Sequence, residues 1–301
     1  MGDSSAILVT PAGPIKAVSL DMGLEAAEDL DVQLLWPDGW RGELLARDAY
    51  LAGDDAHRAA LLKAALESDA ERLLMARGGY GCIRTLAAAQ AAGIALFDGP
   101  VMPLWGFSDG TALLGAWMKA GWPAWLAPPL TQLARLEPLS RARFRASWHA
   151  GRVPSFEGLR TLRPGSVTAP LTGGNLCVLV SCLKTPFEVP LAGHILVVED
   201  TGERAYKVDR LMTQLLLSGA LDEVAGLVIG QFSHVPQDQQ TETKRFFERF
   251  AQDLSVPVVA DLPVGHDVLN APLPIGRATG FVATLSANQG GEGTLTFTEV
   301  A

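Results

Sequence analysis

Leu104-Trp105-Gly106-Phe107-Ser108-Asp109-Gly110-Thr111-Ala112-Leu113-Leu114 is the stretch on which the reading of this chain turns. Its centre, Gly106-Phe107-Ser108-Asp109-Gly110, fits G-x-S-x-G. In that pattern a serine sits on a sharp strand-to-helix turn with its hydroxyl pushed out of the sheet. The flanks suit the turn. Val101 to Trp105 is apolar enough for a buried strand, and Thr111 to Ala120 sets Ala112, Leu113, Ala116 and Trp117 on one helical face. Glycine on either side permits close backbone approach. The same residues would also make an ordinary glycine-bounded turn with a capping serine or aspartate. The rest of the chain has to decide.

Upstream, Ala6 to Thr10 reads as a buried strand, Asp21 to Leu30 as a helix and Val32 to Trp36 as a second short strand. Asp54 and Asp55 start a helix along which Ala59, Leu62, Ala65 and Leu66 recur at helical spacing. Arg72 to Ala76 is a strand, Arg77-Gly78-Gly79-Tyr80-Gly81 a glycine loop, and Cys82 to Ala92 an alanine-rich helix. Downstream, Leu139 to Ala150 reads as an arginine-rich helix. Gly151 to Pro170 then turns irregular, with Pro154, Gly158, Pro164 and Gly165, a composition typical of linkers. The alternation restarts with strands at Ile195–Glu199, Leu227–Ile229 and Val256–Asp261. Helices fall at 176–183, 208–217 and 241–250, and closing strands at 279–286 and 294–298. Strands alternating with helices imply βαβ units and a mostly parallel sheet.

The length of 301 residues suggests about two domains. Residues 1–150 form the first, 151–164 the linker and 165–301 the second. Hydrophobic residues make up 48%, and the mean hydropathy is +0.20, so a large core can be buried. A net charge of −9 argues against nucleic-acid binding, which wants a basic face. Three cysteines, Cys82, Cys177 and Cys182, with no C-x-x-C pair argue for a reducing compartment rather than a disulfide framework. No run approaches about 18 apolar residues, so no membrane span is expected. No secretory signal is visible at the N-terminus. Met1-Gly2 is not read as an acylation signal, because Ala6 stands where serine or threonine is needed. No H-E-x-x-H or clustered Cys/His set occurs, so neither metal nor cofactor is expected.

A serine is a weak nucleophile unless a base takes its proton and a carboxylate orients that base. His57, His149, His194 and His234 lie in helix turns or surface loops. His266 follows an apolar strand, between Gly265 and Asp267 in a proline-flanked loop, where catalytic groups gather. Glu199 emerges from the buried run Ile195-Leu196-Val197-Val198. The order Ser108, Glu199, His266 is the nucleophile–acid–base order of one class of triad hydrolases. An oxyanion needs two backbone donors. Asp109 can supply one, and Gly78 or Gly79 the other. The glycine loop could instead hold phosphate, but it fits neither G-x-x-x-x-G-K-[ST] nor a full G-x-G-x-x-G, since Arg84 stands where the last glycine belongs.

Five ordered motifs then add up. Arg77-Gly78-Gly79-Tyr80-Gly81, Gly106-Phe107-Ser108-Asp109, Gly173-Gly174-Asn175-Leu176, Glu199-Asp200 with Gly202-Glu203 and Tyr206 to Arg210, and Gly265-His266 resemble the LD-carboxypeptidase family. This is serine peptidase family S66, which also contains the microcin C self-immunity peptidases. The matches run from about Ile7 to Gly276. The resemblance implies a triad of Ser108, Glu199 and His266, and an oxyanion hole from the N–H groups of Gly79 and Asp109. It implies an α/β fold in two domains, the first a mostly parallel sheet flanked by helices, the second smaller with a mixed or barrel-like sheet. It implies a cytoplasmic, metal-independent, homodimeric enzyme that releases terminal D-alanine from murein tetrapeptides in peptidoglycan recycling. Arg77, Arg210 and Asn175 are the expected substrate contacts, the arginines because they can grip a carboxylate bidentately. Gly110, Ala12 and Asp267 depart from the family's usual residues, and Asp267 puts the local shape of the pocket in question.

Three other readings compete. The immunity-type activity on a peptidyl nucleotide would favour an aromatic stacking platform, for which Trp122-Pro123-Ala124-Trp125 is the available stretch if it is not core. A non-catalytic muropeptide-binding protein would bind without turnover. An ordinary α/β-hydrolase would carry a His-Gly-Gly segment early in the chain, and none is present.

Overall fold

The structure, a computed structural model, describes residues 5–300. The Met1-Gly2 dipeptide lies outside the described residues. Four short apolar runs, each buried along nearly its whole length, form parallel strands β1 (Ala6–Val9), β2 (Arg72–Met75), β3 (Leu104–Gly106) and β4 (Ala124–Leu126), adjacent in that order. Strands buried on both faces read as continuous hydrophobic runs, and these do. Helices α1 (Ala17–Asp29), α2 (Trp40–Leu44) and α3 (Asp55–Leu66) connect β1 to β2. Helix α3 starts where expected, with the Asp54 carboxylate accepting the His57 N–H at 2.7 Å. Helix α4 (Cys82–Ala91) follows β2 and α5 (Thr111–Ala120) follows β3. Helices α6 (Leu130–Leu133) and α7 (Pro138–Ala150) follow β4. The expected strand at 32–36 is reduced to one parallel bridge, Leu34 with Ala6. Pro37, which has no N–H to donate, follows directly.

The second sheet comprises β5 (Phe156–Arg163), β6 (Gly165–Ala169), β7 (Leu171–Asn175), β8 (Ile195–Thr201), β9 (Gly226–Ser233), β10 (Val258–Ala260), β12 (Phe281–Ala287) and β13 (Glu292–Glu299). Their order is β6-β12-β13-β5-β10-β9-β8-β7, parallel from β10 to β7 and antiparallel elsewhere, so the sheet is mixed. Helices α8 (Leu176–Cys182), α9 (Ala205–Leu217) and α10 (Gln240–Asp253) connect the parallel strands. The stretch 151–170, expected to be irregular, contains β5 and β6. Only Phe156 and Leu159 of β5 are buried, so the strand is held by backbone pairing on both sides and leaves little apolar signal in its side chains.

The remaining strand, β11 (Leu273–Ile275), returns from the second sheet to the first and pairs antiparallel with β4. One apolar core therefore runs through both sheets, joining Leu8, Trp105 and Leu126 to Leu273, Leu285 and Leu295. A second core fills the space around α8, α9 and α10, with Met212, Phe247 and Val198. Among the described residues, no helix is long and apolar enough to cross a membrane.

Candidate active site

Ser108 stands on the turn between β3 and α5, and its φ is +60°. A non-glycine residue in that region stores about 1–3 kcal/mol of strain and persists only where its surroundings fix it. Here they do. The Gly110 N–H donates to the Phe107 carbonyl at 2.9 Å. Thr111 Oγ1 donates to the Ser108 carbonyl at 2.7 Å and accepts the Asn175 N–H at 2.9 Å. Gly110, one of the departures from the family pattern, has a cause in its neighbour: the Met75 side chain on β2 occupies the space a Cβ would need at both Gly106 and Gly110.

The other two members arrive from the far half of the chain. His266 lies in the loop between β10 and β11, its side chain 17% exposed. Its Nε2 is 2.9 Å from Ser108 Oγ and its Nδ1 2.6 Å from Glu199 Oε2. With the Nδ1–H donating to the carboxylate, Nε2 is left to accept the serine proton. The imidazole also packs on the Phe107 ring, centroids 4.8 Å apart. Glu199, fully buried, is the fifth residue of β8. The β8–β9 register shifts between Val198 and Asp200, and Asp200 reaches the same Asn175 amide that faces Glu199. Asp200 accepts Asn175 Nδ2–H at 2.9 Å and the Cys177 N–H, near the start of α8, at 2.9 Å.

Burial raises the Glu199 pKa, opposed by the charge and hydrogen bond of His266. For His266, burial alone would lower the pKa. The charge of Glu199 and its hydrogen bond outweigh that, so the imidazole titrates above its ordinary 6.5. The pair therefore favours an imidazolium once a proton has been taken from Ser108, the state that nucleophilic attack creates.

The glycine loop closes over the serine. A Cβ at Gly78 would stand 2.7 Å from Ser108 Cβ and 2.9 Å from Ser108 Oγ, so the loop backbone passes directly against the hydroxyl. The loop is fixed from both sides: the Gly13 N–H donates to the Gly78 carbonyl at 3.1 Å, and the buried Asp109 carboxylate accepts the Cys82 N–H at 2.7 Å. Burial raises the Asp109 pKa, an effect that the Cys82 N–H opposes. Asp109 thus ties the elbow to the start of α4, and the loop holding Gly79 ends there.

Arg77 is exposed beside this loop, Nη1 donating to the Pro14 carbonyl at 2.7 Å. Arg210 is exposed on α9 with its guanidinium 5.4 Å from the Tyr206 ring centroid; among the described residues it makes no hydrogen bond or ion pair to Ser108, Glu199 or His266. Asn175, expected to touch substrate, is buried and engaged elsewhere. Its Oδ1 accepts the Val178 N–H, and its Nδ2 faces Asp200 at 2.9 Å and Glu199 at 3.5 Å. Asn175 ends β7 beside Glu199 and caps α8. Asp267 is exposed and not in a left-handed conformation, so its position does not require the glycine usual in the family. It borders a cavity of about 360 Å³ also lined by Gln231, Ser233, His234 and Lys244.

Of the other histidines, His149 faces the Leu30 carbonyl and His234 the Thr201 hydroxyl, both away from Ser108. Trp125 is buried and stacked on Trp105, while Trp122 is buried against Phe97, so neither forms an open stacking platform. Among the described residues, no group of three or more His, Cys, Asp or Glu is placed to hold a metal ion. Thr111 and Phe107 were not singled out from sequence. Only their position beside the G-x-S-x-G serine could have marked them.

Comparison with known proteins identifies the family. The family model for the LD-carboxypeptidase N-terminal domain matches residues 7–127, and that for the C-terminal domain matches residues 168–280. The murein tetrapeptide carboxypeptidase of Pseudomonas aeruginosa is 31% identical over 296 residues, covering 91% of this chain and 92% of the relative. A probable murein peptide carboxypeptidase of Bacillus subtilis is 30% identical over 286 residues, covering 91% and 87%. The crystal structure of muramoyltetrapeptide carboxypeptidase from Oxalobacter formigenes superposes with a TM-score of 0.79 at 24% identity, over 98% of this chain and 100% of that one. The microcin C7 self-immunity protein MccF superposes at 0.82 with 16% identity, over 100% and 98%, a likeness of fold. With both halves matched and full-length relatives at this identity, the chain belongs to the LD-carboxypeptidase family, the S66 serine peptidases.

Proposed function

We propose that the protein is a serine LD-carboxypeptidase that releases the terminal D-alanine of murein tetrapeptides, with Ser108 as nucleophile, His266 as base and Glu199 as its orienting acid. The observation that carries this is the unbroken relay from Ser108 Oγ through both nitrogens of His266 to Glu199, at 2.9 and 2.6 Å. Ser108 Oγ attacks the carbonyl carbon of the scissile bond as its proton passes to His266 Nε2. The oxyanion is met by the N–H groups of Gly79 and Asp109. Collapse breaks the C–N bond, and the His266 proton leaves on the D-alanine amine. Water, deprotonated by His266, then hydrolyses the acyl-serine and returns the enzyme.

Arg77 is the better-supported partner for the substrate's terminal carboxylate, since it borders the loop that overlies Ser108. Arg210 has no such link. Residues 1–150 supply the nucleophile and 165–301 the acid and base, so substrate enters between them. The same reading makes the enzyme a cytoplasmic homodimer that needs no cofactor and takes part in peptidoglycan recycling. Incubation with tetrapeptides carrying diaminopimelate or lysine at the third position tests it. D-Alanine and the matching tripeptide are expected. Cleavage at an internal bond, or no cleavage of either peptide, would refute it.

A further inference from the structure

One buried side chain holds the backbone on both sides of His266. Gln132, on α6, is 3% exposed. Its single amide nitrogen donates to the Gly265 carbonyl at 2.9 Å and to the Asp267 carbonyl at 2.8 Å. A carboxamide nitrogen has two hydrogens, and both are used on the peptide units flanking the base. The amide is held against rotation by its other end, where Oε1 accepts Asn270 Nδ2–H at 2.8 Å. The loop is fastened to the same part of the chain twice more. The Glu137 N–H donates to the Val268 carbonyl at 3.0 Å, and the Asn270 N–H to Ser140 Oγ at 3.2 Å.

The position of α6 gives this clamp its meaning. The Thr131 N–H donates to the Ala76 carbonyl at 3.1 Å, and Ala76 is the residue before Arg77-Gly78-Gly79. The helix that holds the His266 loop is thus anchored at the root of the loop overlying Ser108. Glu199 orients the imidazole within its plane, and Phe107 covers a face. Neither fixes where along the cleft the His266 backbone lies.

We propose that Gln132 is a positioning residue for the catalytic base, setting the height of His266 over Ser108 by gripping the Gly265 and Asp267 carbonyls from the nucleophile's half of the chain. The proposal rests on the triad reading above. The charged groups facing the imidazole are Glu199 and Asp200 on β8 and Arg135 after α6, and Gln132 itself carries no charge. A change in the pH profile on its loss therefore reports movement of His266 relative to those groups.

The test is Gln132→Met, close in volume and without donors, alongside Asn270→Asp, which removes the donor that fixes the Gln132 amide. Each is measured for kcat, KM, pH profile and thermal midpoint. The expected result for Gln132→Met is a fall in kcat of about 10²-fold, the effect of a displacement of about 1 Å, with KM nearly unchanged. The ascending pH limb moves toward that of free imidazole as the contact with Glu199 loosens. Asn270→Asp shows a smaller change in the same direction. Wild-type kcat and an unmoved limb, in whichever variant folds, would overturn the proposal even if the thermal midpoint drops. If Ser108→Ala keeps its turnover, the triad reading fails instead, so the two failures are told apart.

Discussion

Gly78→Ala is the substitution whose effect the structure defines most closely. The added methyl would lie 2.7 Å from Ser108 Cβ and 2.9 Å from Ser108 Oγ. Carbon atoms rest about 3.5–4.0 Å apart, so loop and serine must separate by about 1 Å. Neither retreats freely. The Gly78 carbonyl is bonded to Gly13, and the Asp109 carboxylate ties the elbow to the start of α4. Ser108 is held by Thr111 in its left-handed conformation. A displacement of about 1 Å at a reacting group costs on the order of 10²-fold in rate. That is about 2.7 kcal/mol of transition-state stabilisation at 1.36 kcal/mol per decade. Overpacking adds a stability loss of about 1–3 kcal/mol. Steady-state release of D-alanine measures the first effect and thermal unfolding the second. A folded Gly78→Ala enzyme with wild-type kcat would show that the loop does not press on the nucleophile, and the oxyanion assignment to this loop would go with it.

Glu199→Gln should keep the fold and lower kcat by about 10⁴-fold, because an amide does not hold the Nδ1–H tautomer as a carboxylate does; near-wild-type turnover would remove Glu199 from the triad. With neutral His266 proposed as the base and its pKa raised above 6.5, kcat/KM should rise with pH through a midpoint above 6.5. A flat profile, or a midpoint below that of free imidazole, contradicts the pairing with Glu199. EDTA should leave activity unchanged; loss on chelation that zinc restores would refute a purely serine-based reaction. Residues 1–150 alone should hydrolyse nothing and should unfold more easily than the whole chain, because β4 loses β11 and the shared core is cut. Full activity in that fragment would end the shared-site model.

The elbow was legible because its chemistry is local: strand, glycine, serine, glycine and helix follow one another within eleven residues. Glu199 and His266 were legible as types in context, a carboxylate ending an apolar strand and a histidine in a loop after another. What brings them together is not local. His266 meets Ser108 across 158 positions of sequence, and Glu199 across 67. The same limit explains what was not legible. The hydrogen bonds that Asn175 makes to Asp200 and beside Glu199 join β7 to β8 and are invisible in sequence. Strand β5 is half exposed and held by backbone pairing, so its composition resembled a linker. Strand β11, three residues long, gave no sign that it would return to the first sheet. Gln132 looks like any glutamine of a short helix, and its partners lie more than 130 residues away.

Ser108, activated by two residues from the other half of the chain, is proposed to break the bond to the terminal D-alanine. The most direct measurement is D-alanine release from one murein tetrapeptide by wild type and by Ser108→Ala, with the fold of each checked by thermal unfolding. The account predicts release by the wild type and a loss on the order of 10⁶-fold in the folded variant. Comparable release by both proteins would contradict it.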